Sequence, residues 1–320
     1  MLGGMPRRKL ALALTGSGHL LTYQIGACRA LVGSGAFDGG VALAAGSSGG
    51  AIAATLLACS SADEMDDYRR EFVRRRGGGL ELLREFLPPS LGGNKNGSNC
   101  NSDEMMRGAA DELHVCATRN SDGSPKIFKF GGASPGSSSE GGGGGSATIA
   151  TTTTDPSLLM DCVRASCTIP RSFHPVDVLR RQTAISYPEG DGVAIHDDEG
   201  GGGDDAAAYY CDGGIASPAP PVSVEADSMM SVVVVVVSPM VCTHDDMHPV
   251  ICPAAAKSWL LRWMTPSLAL KGGLRAQCSL QNARAAIAAS GAASSSDLQL
   301  WYERGVRDAE SFLDDEQTLP

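Results

Sequence analysis

VALAAGSSGGAIAATLLA, residues 41–58, decides how this chain is read. An apolar run, Val41 to Ala45, ends in Gly46-Ser47-Ser48-Gly49-Gly50, and a small-residue run, Ala51 to Ala58, follows. A buried strand, a sharp turn and a helix account for that order. G-x-S-x-G is the turn that holds a serine Oγ above a sheet, and its glycines remove side chains that would collide there. Ser48 is the central serine.

Upstream of this stretch, Lys9 to Leu14 reads as the first strand, ending at Thr15-Gly16-Ser17-Gly18, and Leu20 to Val32 reads as a helix. Phe37 to Ala45 then leads into the elbow. Strand, glycine turn, helix, strand, turn, helix is the rhythm of a parallel sheet covered by helices. Downstream, Ala62 to Arg76 reads as a charged, exposed helix. His114 to Ala117 and Lys126 to Phe130 read as strands joined by the turn Asn120-Ser121-Asp122-Gly123. Asp155-Pro156 opens a helix to about Ala165, with aspartate as cap and proline at the first helical position. Ala206 to Cys211 is a short strand ending at Asp212-Gly213-Gly214, and the six valines Val232 to Val237 read as a fully buried strand. Ala254 to Met264, Leu280 to Ala289 and Asp297 to Leu313 have helical character. Two stretches, residues 131–146 and 190–205, are so rich in Gly, Ser and Asp that they bury no apolar surface; both are expected to be flexible insertions. The chain therefore divides into a main domain, 8–240, and a helical C-terminal extension, 241–320.

The 320 residues suffice for one large α/β domain, and 42% hydrophobic content supplies a substantial core. A net charge of −10 argues against a nucleic-acid surface. Ten irregularly spaced cysteines without a C-x-x-C pair read as free thiols in a reducing, cytoplasmic compartment. No signal peptide is evident, and no apolar stretch approaches the roughly 20 residues needed to span a bilayer.

A serine hydroxyl needs a base within hydrogen-bond reach and donors for the oxyanion that forms when it attacks an acyl carbon. Gly16-Ser17-Gly18, which follows the first strand and opens a helix, is the donor candidate. A dinucleotide fingerprint would require glycine at position 21, where Leu21 stands. Asp212, at a strand end before two glycines, is the base candidate, although such an aspartate is often only a turn former.

Together these pieces resemble the patatin-like phospholipase family, whose pattern is a glycine-rich oxyanion loop, then G-x-S-x-G, then D-G-[AG]. Ala165-Ser166-Cys167-Thr168-Ile169-Pro170-Arg171-Ser172-Phe173-His174-Pro175 is similar to the family's A-S-x-x-I-P-x-x-F-x-P segment, and His114 to Thr118 to its central strand ending in A-T. The resemblance covers about Lys9 to Val237. The first loop, with Tyr23 and Gly26 after it, looks nearest to the animal neutral-lipid-lipase branch and departs from it at Leu21. The resemblance implies a three-layer α/β/α domain with a mainly parallel sheet and a short helical tail. It implies Ser48 as nucleophile and Asp212 as general base, in the motifs Gly46–Gly50 and Asp212–Gly214. Gly16, Ser17, Gly18 and Gly49 would form the oxyanion hole. It further implies hydrolysis of glycerolipid acyl esters, phospholipid or triacylglycerol, at a membrane or lipid-droplet surface, without metal or organic cofactor.

Three other readings stay open. His244 and His248 follow Asp212 in the chain order of a Ser-Asp-His triad; the same two histidines, four residues apart, could pair on a metal, although Pro239 and Pro249 favour a loop. The chain could also be a catalytically silent lipid-binding relative. Trp259, Leu260, Trp263 and Met264 recur at helical spacing beside Lys257 and Arg262, as in a helix resting on lipid or packed in a core.

Overall fold

The computed structural model describes residues 7–87, 106–131, 149–152, 158–173, 186–195, 207–222, 230–245, 248–253 and 266–317. The helix expected at Ala254 to Met264, with its two tryptophans, lies outside them. So do the Gly-rich residues 132–146, the Asp155-Pro156 cap, His174 and Pro175.

In chain order the first elements are β1 (Arg7–Leu14), α1 (Leu21–Gly33), β2 (Val41–Ser47), α2 (Gly49–Cys59), α3 (Ala62–Arg75) and α4 (Gly79–Phe86). Then come β3 (Ala110–Arg119), β4 (Pro125–Gly131), β5 (Ile149–Thr152), α5 (Leu159–Ser166), β6 (Val193–Ile195), β7 (Ala208–Cys211), α6 (Gly213–Ala216) and β8 (Met230–Val237). The chain closes with β9 (Cys242–His244), β10 (Val250–Ile251), β11 (Ser267–Ala269), β12 (Leu274–Gln277), α7 (Leu280–Ile287) and α8 (Ser295–Gln317).

The main sheet runs β10-β8-β1-β2-β3-β4-β5, with the β6–β7 hairpin attached antiparallel to β3. From β10 to β3 every pairing is parallel; β4 turns back on β3, and β5 follows β4 in parallel. With helices on both sides this is the expected three-layer α/β/α arrangement. The two faces are visible in the side chains of the central strands. Leu10, Leu12 and Leu14 of β1 and Val235 and Val237 of β8 join the main core, whereas Ala13 and Val236 point to a second cluster with Ala219, Cys242 and Leu274. Of the six valines expected to be fully buried, Val235 to Val237 are, while Val232 to Val234 are half-buried, so β8 is enclosed on both faces only toward its carboxyl end.

Helix α3 begins with a capping box, Ser61 with Glu64, and presents Met65, Tyr68 and Phe72 inward; Asp66 and Arg69 are half-buried against Arg29 of α1 and Gln299 and Tyr302 of α8. The part after residue 240 is not purely helical. β9, β11 and β12 form a small antiparallel sheet and β10 extends the main one, alongside the two expected helices α7 and α8. These strands have two to four residues, too few for a period-2 pattern to stand out. The insertion expected from Gly190 likewise starts with structure. Val193 to Ile195 alternate and pair with β7, and the Asn120 side chain donates to Pro188 O.

Candidate active site

Register brings the candidate residues to one end of the sheet. Leu14 of β1 pairs with Gly46 of β2, Ser47 pairs with Cys116 of β3, and Thr118 of β3 pairs with Cys211 of β7. The residues that follow these strand ends, Thr15 to Gly18, Ser48 and Asp212, therefore meet at the carboxyl edge, where open α/β sheets form their crevices.

Ser48 sits at the turn with φ +53° and ψ −128°, the N-cap position of α2. A non-glycine residue at such a φ is strained, and here the strain aims the hydroxyl out of the sheet. Its Oγ donates to Asp212 Oδ2 at 2.8 Å. The other carboxylate oxygen, Oδ1, accepts from Gly214 N at 2.8 Å, so the aspartate caps α6 while facing the serine. Asp212 is only 6% exposed, and burial, opposed by these two hydrogen bonds, pushes its carboxyl up from its ordinary 3.8 to about 6.

The backbone around the pair is braced. Asp212 N donates to Thr168 O at 2.8 Å, and Thr118 Oγ1 donates to Asp212 O at 2.7 Å. Ser48 N donates to Ser166 Oγ at 2.9 Å, and that hydroxyl donates onward to Cys116 O at 2.6 Å. Cys167 Sγ donates to Ser48 O at 3.2 Å. Thr118, Ser166, Cys167 and Thr168 all lie in the two segments quoted above for their resemblance, so the local signal for them was present.

The four residues expected around an oxyanion divide. Gly16 directs its N–H to Pro218 O at 3.1 Å, so that amide is occupied, and a Cβ at this position would meet Ser48 Cβ and Gly214 Cα at an ordinary contact distance of 3.7 Å. Ser17, Gly18 and Gly49 stand where two helical segments begin, Gly18 opening a 3-10 turn and Gly49 opening α2. The first N–H groups of a helix have no partner inside it and face any anion at that end. The two loops touch through backbone: a Cβ on Gly49 would stand 2.6 Å from Gly18 O. Gln24, buried on α1, was not singled out by sequence reasoning. It accepts from Ser17 Oγ at 2.8 Å and donates to Thr15 O at 2.7 Å, fixing the loop.

Ser48 opens into a pocket of about 330 Å³ walled by His19, Leu21, Ile52, Phe72, Cys167 and Ile169, a mainly apolar lining. A larger groove, about 730 Å³, lies between α7 and α8 beside Ile287, Leu300 and Trp301 and holds none of the expected site residues. The rings of His244 and His248 lie with centroids 5.3 Å apart, tilted by 37°, and line a third cavity with Pro125, Ala219 and Val236, not the pocket of Ser48. Among the described residues no third ligand joins them.

No curated protein matches the chain. Among solved structures, VipD from Legionella pneumophila aligns with 13% identity and a TM-score of 0.33 over 73% of this chain. The alignment spans half the length of VipD. The sequence profile described as patatin-like phospholipase matches residues 12–223, a span that holds the serine elbow, the Gly16–Gly18 turn and the Asp212 turn, and this chain belongs to the patatin-like phospholipase family.

Proposed function

We propose that this protein is a lipid acyl hydrolase that cleaves the acyl esters of glycerolipids with a Ser48–Asp212 dyad. The observation that carries the reading is the 2.8 Å hydrogen bond from Ser48 Oγ to Asp212 Oδ2 at the mouth of an apolar pocket. Asp212 accepts the hydroxyl proton as Ser48 Oγ attacks the ester carbon. The N–H groups of Ser17, Gly18 and Gly49 receive the developing oxyanion. Asp212 then returns the proton to the leaving alcohol, which departs as the acyl-enzyme forms. Water, deprotonated by Asp212, attacks that ester; the fatty acid is released and the proton goes back to Ser48. A carboxyl raised to about 6 is a stronger base than an ordinary aspartate and is still ionised at neutral pH.

The substrate surface in this reading is a membrane or lipid droplet met from the cytoplasmic side. No helix among the described residues is long and apolar enough to cross a bilayer. The test is fatty-acid release from a mixed glycerolipid extract. Ser48→Ala and Asp212→Asn are each expected to lower release at least about a thousandfold while the circular dichroism stays native. The double variant His244→Ala/His248→Ala is expected to keep near-normal activity. Wild-type rates in Asp212→Asn, or loss of activity in the histidine pair, would replace the dyad with another base.

A further inference from the structure

The oxyanion loop is held from outside the matched family region. We infer that His19 is a positioning residue for this loop and that the turn Ala288–Ala292 is its anchor, an inference that rests on the proposed hydrolase reading for its catalytic consequence. His19 Nδ1 lies 3.2 Å from Ala289 O. A carbonyl only accepts, so Nδ1 carries the proton in this contact. The ring is gripped on its other sides as well. It packs against Phe72 with centroids 5.9 Å apart, and a Cβ on either Gly77 or Gly291 would stand 3.1 Å from it. Gly18, at φ +51°, lies so close to Ala289 that a Cβ there would collide with the same carbonyl oxygen. Ala289 therefore touches both Gly18, a candidate oxyanion donor, and the side chain of the next residue.

Three walls of the Ser48 pocket thus meet on one imidazole: the oxyanion loop, α3 through Phe72, and the turn that precedes α8. Gly18 lacks a side chain and has a wide range of backbone conformations open to it. Its N–H points usefully only if its neighbours fix it. Residue 289 is 270 positions from residue 19, so the chain's tail completes the geometry of a loop near its start. Oxyanion donors act chiefly in the transition state, so a loosened loop lowers kcat and leaves KM nearly unchanged.

The test uses the full chain and two variants, His19→Ala and His19→Asn, because the Asn Nδ2 can donate where Nδ1 does. Turnover of a soluble p-nitrophenyl ester and amide hydrogen exchange of the Thr15–Leu20 peptide are read in parallel. In His19→Ala, kcat should fall roughly 10- to 100-fold with KM within about twofold, and exchange of the loop amides should quicken about tenfold or more. His19→Asn should restore both to within about threefold of wild type. Wild-type kcat and exchange in His19→Ala overturn the inference. So does a His19→Asn variant as impaired as His19→Ala, which would assign the effect to ring packing on Phe72 alone. If the wild type shows no Ser48-dependent turnover, the hydrolase reading falls, while hydrogen exchange still decides whether His19 orders the loop.

Discussion

Asp212 combines two conflicting demands in one carboxylate. Burial destabilises its charge, and the Ser48 and Gly214 hydrogen bonds only partly offset this, which is why its pKa rises to about 6 instead of falling. The first consequence is kinetic: with Asp212 as base, kcat/KM should be level above pH 7 and fall tenfold per unit below about 6. The second concerns stability. A carboxyl that holds its proton more tightly folded than unfolded stabilises the fold fully below about 4, and that contribution disappears as pH rises through about 6. The shift corresponds to about 3 kcal/mol. Asp212→Asn keeps an oxygen for Gly214 N and removes the charge. Its unfolding free energy should therefore gain on wild type between pH 4 and pH 8, by up to about 3 kcal/mol, even as its activity is lost. Urea titrations at both pH values check this; a difference that does not change with pH would mean that Asp212 is not strained by its charge.

At the scale of elements, the site is a contact between the starts of two helices. α2 begins at Gly49 and the 3-10 turn begins at Gly18, and they approach so closely that a Cβ built on Gly49 would stand within 2.8 Å of Gly18 O and N and of Ser17 Oγ. Gly49→Ala must push the two N-termini apart, and with them the donors that would share one oxyanion. Activity should fall about a hundredfold or more with helix content intact, read by ester turnover beside circular dichroism. A Gly49→Ala enzyme with full activity would mean the two segments do not cooperate. This contact was readable in part. The elbow, the Gly16–Gly18 turn and the Asp212 turn each carry their signal within a few neighbouring residues, because glycine and aspartate at strand ends do a local job. Their partners do not. That Gly16 N–H bonds Pro218 O, or that Gln24 braces Ser17 from α1, follows from tertiary approach and leaves no mark on spacing.

Over the whole molecule, the matched region 12–223 and the tail after it share the main core, to which Leu298, Ala309 and Leu313 of α8 contribute. α1 is buried over most of its length, Leu21 to Cys28 and Leu31, with α8 packed along it and α2 and α3 beside it. The two helices cross at paired glycines. A Cβ on Gly26 would collide with Tyr302 O and stand 3.2 Å from Val306 N; one on Gly305 would collide with Tyr23 O and stand 3.2 Å from Ala27 N. Tyr23 Oη donates to Asp308 Oδ2 at 2.9 Å beside this crossing, and Ser295 Oγ donates to Val73 O at 2.8 Å at the start of α8. Gly26 could be seen in the sequence as part of the family-like first helix; its partner Gly305 could not, since a lone glycine in a polar helix gives no hint of what crosses it. Gly26→Val and Gly305→Val should each lower the unfolding free energy by about 3 kcal/mol or more, since backbone on the opposite helix cannot step aside as a side chain can. Either change alone already separates the helices, so the double variant should lose clearly less than the two losses combined. Because α8 follows directly on the Ala288–Ala292 turn, each variant should also lower kcat on the soluble ester as the anchor leaves His19. Additive losses in urea titrations would show that the two glycines do not share one crossing, and full kcat in destabilised but folded variants would uncouple the tail from the loop.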